Sequence, residues 1–224
     1  MTWVKICGMT NLEDALVAVD AGADAVGFVF YEKSPRCVTV ETAREIVEKL
    51  PESVEKVGVF VNESPERVSA MADGAGLTAV QFHGDEYQKP EMYVLERASY
   101  LCIPAKWVTV TWRKKDKAIG SFMALPKNLR AIVLDSSSPD NRGGTGKAFD
   151  WRDARLYVSL MNKGDQRIVV AGGLGPDNVT KAMKILHPWG VDVVSGVEAS
   201  LGKKDPEKVR AFVRAVREMD RKVG

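Results

Sequence analysis

Two side chains of the kinds an acid–base reaction requires stand at the ends of short apolar runs: Cys7 closes WVKIC and Asp135 closes AIVLD. A cysteine has an ordinary pKa of about 8.5, which falls beside cations or a helix N-terminus, so a thiolate at Cys7 could act as base or nucleophile. The alternative is an inert core thiol. A carboxylate at the end of a buried strand is costly to ionise unless paired, which suits Asp135 to a general acid's role or, equally, to capping Ser136–Ser138. Lys5 shares the face of Cys7 by strand alternation and, if buried, needs a carboxylate or carbonyl partner, Asp192 being one.

Other apolar runs also end in polar or small residues: Arg36 just after one, then Asn62, His83, Lys106, Gly172–Gly173 and Ser195–Gly196. Singly, each reads as a turn cap or a satisfied core group, but together they suggest one convergent mouth. The stretches VVAGGLGPDNV and VVSGVEASLG finish in small residues and leave backbone N–H groups to cradle an anion such as phosphate. Nucleotide motifs fail on spacing. Gly173-x-Gly175 lacks the third glycine of a dinucleotide fingerprint, while Gly146-Lys147 has Asn141 where a P-loop needs glycine and Ala148 where it needs Ser or Thr. His83 and His187 are the only histidines and no H-x-H or H-E-x-x-H occurs, so no metal is expected. His187, before Pro188, reads as structural, and Arg113–Lys117 and Lys203–Lys204 read as solvated faces.

Groups this far apart in the chain need a scaffold that returns each run to one end of the molecule. Strand-like runs at Trp3–Gly8, Ala25–Phe30, Val57–Val61, Ala79–His83, Leu101–Val108, Ala131–Asp135, Ile168–Ala171 and Val191–Ser195 alternate with helical spacing. The helical stretches are Leu12–Ala21, Val40–Leu50, Pro65–Ala75, Pro90–Ala98, Thr111–Leu125, Trp151–Met161, Asp177–Leu186 and Pro206–Asp220. Asn11 and Ser64 are N-cap candidates, Thr39 with Thr42 near Glu41 is a further start signal, Pro65 suits a first helical position, and Gly22, Gly76 and Gly190 stand where helices should stop. Eight βα units in 224 residues fit a single-domain α/β protein spanning residues 1–224, a closed (β/α)₈ TIM barrel with its site at the C-terminal strand ends.

Composition agrees. With 45% hydrophobic and 28% charged residues the chain can bury a large core, and a net charge of +2 is too small for a nucleic-acid-binding face. The 3 cysteines form no C-x-x-C, which points to a reducing, cytoplasmic setting, and no apolar run approaches the ~18 residues of a membrane span.

The strings KICGMTNLEDA, GADAVGFVFYEKSPR, VGVFVN, VQFHGDE, LDSSSPDNRGGTGKAFDW, AGGLGPDNV and VDVVSGVEASLGKKD run collinearly from the first strand to the last helix. Together they resemble phosphoribosylanthranilate isomerase, the barrel enzyme of tryptophan biosynthesis; between Tyr87 and Arg130 only IPAKWV is matched. The resemblance implies an Amadori rearrangement of N-(5′-phosphoribosyl)anthranilate to 1-(2-carboxyphenylamino)-1-deoxyribulose 5-phosphate without a cofactor. It makes Cys7 the general base, Asp135 the general acid and Arg36 the partner of the anthranilate carboxylate. It also assigns Gly172, Gly173, Ser195 and Gly196 to the phosphate, Asp192 to the ribose hydroxyls and His83 to the mouth beside the anthranilate group. The loop Arg142–Lys147 is expected to close over the substrate.

Rival readings are indole-glycerol-phosphate synthase, which wants a lysine–glutamate set, and a dual isomerase, which wants an aspartate where Cys7 stands. A noncatalytic phosphosugar-binding barrel would have no use for Cys7 with Asp135. Expected partners are a phosphosugar substrate and, at most, a second copy of the chain, as monomer or homodimer.

Overall fold

The computed structural model describes residues 1–83, 105–111, 129–135, 150–163 and 167–223. Eight parallel strands close in sequence order: β1 Trp3–Cys7, β2 Ala25–Phe30, β3 Glu55–Val61, β4 Ala79–His83, β5 Ala105–Thr111, β6 Ala131–Asp135, β7 Ile168–Val170 and β8 Gly190–Val193. Pairing of β1 with β8, Lys5 opposite Asp192, seals the barrel. The described helices are α1 Leu12–Asp20, α2 Val40–Val47, α3 Pro65–Ala75, α4 Trp151–Lys163, α5 Val179–Leu186 and α6 Pro206–Val223. The expected helices Pro90–Ala98 and Thr111–Leu125 lie outside the described residues, except that Thr111 ends β5.

The helices start where local chemistry dictates. Asn11 Oδ1 accepts from Asp14 N at 2.8 Å, Thr39 Oγ1 from Thr42 N at 3.1 Å and Ser64 Oγ from Arg67 N at 3.3 Å, each satisfying a donor the first turn leaves open. Gly76 ends α3 in the left-handed conformation at φ 68°. Gly190 does not stop a helix. It opens β8, and α5 is closed instead by exposed His187 at φ 47°. At Gly190 a β-carbon would stand 3.0 Å from Trp3 O, so glycine lets the first and last strands approach.

Strand parity divides the interior into two cores. Outward residues such as Val4, Ile6, Phe28, Phe60 and Phe82 pack under the helices. Inward ones, Ala25, Val57, Ala79, Trp107, Ala131, Val133, Val169 and Ala171, fill the barrel with Trp3 and Trp189 against them. Trp3 lies 4.5 Å from Trp107 and 5.4 Å from Trp189, centroid to centroid, and these rings plug the N-terminal end. The last helix clamps the first strand: Asp220 accepts from Thr2 N at 2.9 Å and Thr2 Oγ1 at 2.6 Å, and Arg217 Nη2 meets Asp24 at 2.7 Å.

Candidate active site

Above the tryptophan plug the barrel axis turns polar. Lys5 is fully buried; its Nζ donates to Gln81 Oε1 at 2.6 Å and to Asp192 Oδ2 at 2.8 Å, and Gln81 Nε2 donates onward to Thr109 Oγ1 at 2.8 Å. The partner expected from alternation is therefore the one observed. Asp192 keeps a second oxygen, Oδ1, buried and without a hydrogen-bond partner among the described residues. Burial works against the Lys5 ammonium, yet Asp192 and Cys7 together hold its pKa above the ordinary lysine value.

The next residues along the strands form the mouth. One pocket is lined by Cys7 of β1, Arg36 after β2, His83 ending β4, Asp135 ending β6, Gly172 and Gly173 after β7, and Asp192 and Ser195 of the eighth unit. Eight of the nine expected site residues thus share one cavity. Gly196 is not among its lining residues; a β-carbon there would collide with Leu174 O, so glycine is what allows the two glycine loops to meet. Burial pushes the Cys7 thiol above its ordinary value, Lys5 pulls it back, Asp192 adds to the rise and Lys204 opposes it. Gly27, opposite Cys7 in the β1–β2 register, is also required here, because a β-carbon would stand 2.5 Å from Cys7 Sγ.

Gly172 and Gly173 adopt φ of 82° and 63°, a conformation other residues reach only under strain. Asn178 holds their loop shut, its Oδ1 accepting from Gly175 N and its Nδ2 donating to Gly173 O, both at 2.9 Å. Ser195 and Gly196 begin a single 3₁₀ turn, Ser195–Val197. The N–H groups at the start of such a turn lack acceptors within it, which leaves them for an anion.

Arg36 is buried, and its Nε and Nη2 each donate to Glu198 at 2.7 Å. One edge of the guanidinium is thus already filled, and any carboxylate must use the other edge, Nη1 with the second N–H of Nη2. Glu198 also accepts from Lys204 Nζ at 3.2 Å, and the same ammonium donates to Val194 O next to the 3₁₀ turn. The Lys203–Lys204 pair is therefore half corrected: Lys203 is exposed, but Lys204 is 1% exposed. Lys204 alternates inward in the short strand β10 Lys203–Lys204, which pairs antiparallel with β9 Glu198–Ser200. Despite burial, Arg36 and Lys204 hold the Glu198 carboxyl below the ordinary carboxylate range.

Two polar ends fall elsewhere. Lys106 is the second residue of β5, which runs on to Thr111, so it stands toward the N-terminal end. Asn62 is in a bend directly after β3, at φ 53°, outside the pocket lining. The loop Arg142–Lys147 and the segment Arg113–Lys117 lie outside the described residues. Gln81, Thr109, Glu198, Lys204, Gly27 and Asn178 were missed at the sequence level; Asn178 alone had a local signal, as an Asn ahead of a helix in GPDN.

A closed barrel carrying an acid, a thiol and two convergent glycine loops at its C-terminal mouth belongs with the TIM-barrel proteins whose site, with a place for a phosphate group, stands at the strand ends. Residues 4–215 match the family model of N-(5′-phosphoribosyl)anthranilate isomerase. The chain is 46% identical over 220 residues to N-(5′-phosphoribosyl)anthranilate isomerase of Geobacter sp. strain M21, covering 98% of this chain and 100% of the relative. Among solved structures it is similar to a dimeric phosphoribosylanthranilate isomerase from Thermotoga maritima crystallised as generated monomers, with TM-score 0.80, 39% identity and coverage of 97% and 100%. It is likewise similar to a phosphoribosylanthranilate isomerase in complex with reduced 1-(o-carboxyphenylamino)-1-deoxyribulose 5-phosphate, with TM-score 0.82, 37% identity and coverage of 97% and 100%. The chain belongs to the N-(5′-phosphoribosyl)anthranilate isomerase family, the isomerases of tryptophan biosynthesis.

Proposed function

We propose that this chain, as one barrel domain, converts N-(5′-phosphoribosyl)anthranilate to 1-(2-carboxyphenylamino)-1-deoxyribulose 5-phosphate with Cys7 as general base and Asp135 as general acid. The observation that carries the assignment is that the two side chains, on β1 and β6, line one pocket together with the glycine loops. Opposed groups of this kind are what the rearrangement needs. Asp135 protonates the ring oxygen, the C1′–O bond breaks, and the anthranilate nitrogen lone pair forms the C1′=N Schiff base. Cys7 thiolate then takes the C2′ proton; the C–H electron pair forms C1′=C2′ and the imine pair returns to nitrogen. Loss of the enol proton and protonation of C1′ complete the ketose. The sequence of steps is redox-neutral and calls for no cofactor.

Binding follows the polarity of the mouth. Gly172, Gly173, Ser195 and Gly196 take the phosphate. The open edge of Arg36 takes the anthranilate carboxylate end-on, His83 lies beside the ring, and Asp192 Oδ1, which has no partner among the described residues, accepts a ribose hydroxyl. The chain works in the cytoplasm, as monomer or homodimer. No helix among the described residues is long and apolar enough to cross a membrane.

The test is decay of anthranilate fluorescence with freshly generated substrate. Wild type should turn over, and Cys7→Ala and Asp135→Asn should fold yet lose most of kcat. Near-normal rates in either variant would remove that residue from the mechanism, and an inactive but folded wild type would favour the noncatalytic binder.

A further inference from the structure

The buried ammonium beneath Cys7 is not used by the steps above. Lys5 and Cys7 point into the barrel from alternate positions of β1, and Gly27 lies opposite Cys7 on β2. A β-carbon on Gly27 would stand 2.5 Å from Cys7 Sγ and 2.8 Å from Lys5 Cε, so the sulfur and the lysine stem flank the same small space. Two of the three Lys5 donors are committed, to Gln81 at 2.6 Å and Asp192 at 2.8 Å. We propose that Lys5, held on the barrel axis by Gln81 and Asp192, is a positioning residue that stabilises the Cys7 thiolate, with Asp192 opposing it, so that the pair sets the fraction of enzyme able to take the C2′ proton. This rests on Cys7 being the base.

Several charged or titratable groups lie around Cys7. Lys5 lies below it on β1, and Asp192 of β8 adjoins Lys5. Arg36 arrives from the loop after β2, its Cδ 2.8 Å from where a β-carbon of the adjoining Gly8 would be. Lys204 reaches in from β10, and His83 and Asp135 share the pocket. Burial is the largest influence and disfavours the thiolate; Lys5 is the first of the charges that favour it, and Asp192 disfavours it. The ammonium has no role as acid in this scheme. The proton removed from C2′ ends on Cys7 sulfur, and Lys5 stays charged throughout.

The assignment makes paired predictions of opposite sign. Iodoacetamide alkylation of Cys7, followed against pH by peptide mass spectrometry, reads the thiolate directly, with exposed Cys37 as internal reference. Removing the neighbouring cation should raise the Cys7 midpoint by about 1–3 pH units in Lys5→Met, whereas Asp192→Asn should lower it. The Cys37 midpoint should not move. Lys5→Arg keeps the charge and should stay nearer to wild type than Lys5→Met, and the acid limb of kcat/KM should track the alkylation midpoint across the series. A Cys7 midpoint unmoved by either Lys5→Met or Asp192→Asn overturns the proposal. Should Lys5→Met fail to fold, the downward shift in Asp192→Asn decides it alone. A fully active Cys7→Ala would sink the base assignment while leaving these midpoints meaningful, so the two failures can be told apart.

Discussion

Glu198 joins the two ends of the proposed substrate site, and its substitution by glutamine tests that link. Its carboxylate accepts both 2.7 Å hydrogen bonds from one edge of Arg36 and a third, at 3.2 Å, from Lys204. The side chains of Arg36 and Glu198 are 7% and 5% exposed, so solvent screens this pair little. Glutamine keeps the shape but removes the charge and turns one acceptor into a donor aimed at a cation. Breaking a buried pair costs about 3–5 kcal/mol, and the retained amide oxygen argues for the lower end, about 3 kcal/mol. For a domain of this size each kcal/mol moves the melting midpoint by about 2–4 °C, so Glu198→Gln should melt about 6–12 °C below wild type at pH 7. The folded carboxyl lies below its ordinary value, so its contribution is complete above about pH 4.3 and is lost as pH falls through the folded value. The gap between variant and wild type should therefore be constant from pH 7 to 5 and close in more acid solution. Urea denaturation at several pH values measures it, and the same samples should show a raised KM because Arg36 has lost its brace. A variant as stable as wild type at pH 7, or a gap that widens in acid, would refute the reasoning.

Two further substitutions separate the phosphate cradle from the scaffold. Gly196→Ala places a methyl group against Leu174 O, a backbone atom that cannot rotate away, so the two loops must part. Competitive inhibition by inorganic phosphate should weaken at least about tenfold, near 1.4 kcal/mol, and an unchanged inhibition constant would contradict the cradle. Trp107 is completely buried and packs against Trp3 and Trp189 at the opposite end of the barrel. Trp107→Ala should cost about 3–5 kcal/mol in urea unfolding while turnover per folded molecule holds, and a specific loss of kcat would show that the two ends of the barrel are coupled.

What could be read from the sequence was whatever a short window or a strand's two-residue period encodes. The caps at Asn11, Thr39 and Ser64, the ends of β2, β4 and β6, and the mouth positions of Cys7, His83 and Asp135 all depend on neighbours within a few residues. Lys5–Asp192 was within reach because parity turns both side chains inward and eight closed strands make the first adjoin the last. Arg36–Glu198 was not, since 162 residues separate them and the fold of the β9–β10 hairpin decides which of Lys203 and Lys204 turns inward. Lys106 was misplaced because its run continues as WVTVT. Trp107 and Thr109 face the axis on alternate positions, which moves the strand end to Thr111.

Along the barrel axis, the inward side chains change in chemical character layer by layer. Tryptophans and alanines occupy the N-terminal end, Lys5, Gln81, Thr109 and Asp192 the middle, and Cys7, His83 and Asp135 the mouth. A hydrophobic middle layer would be no less stable, because an ion pair taken out of water gains little or nothing over well-packed apolar side chains of the same volume. The apolar layer below already shows that these strands can fill the axis without charge. Setting the charge state of the thiol one strand period above it would account for charge in a layer where packing does not require it.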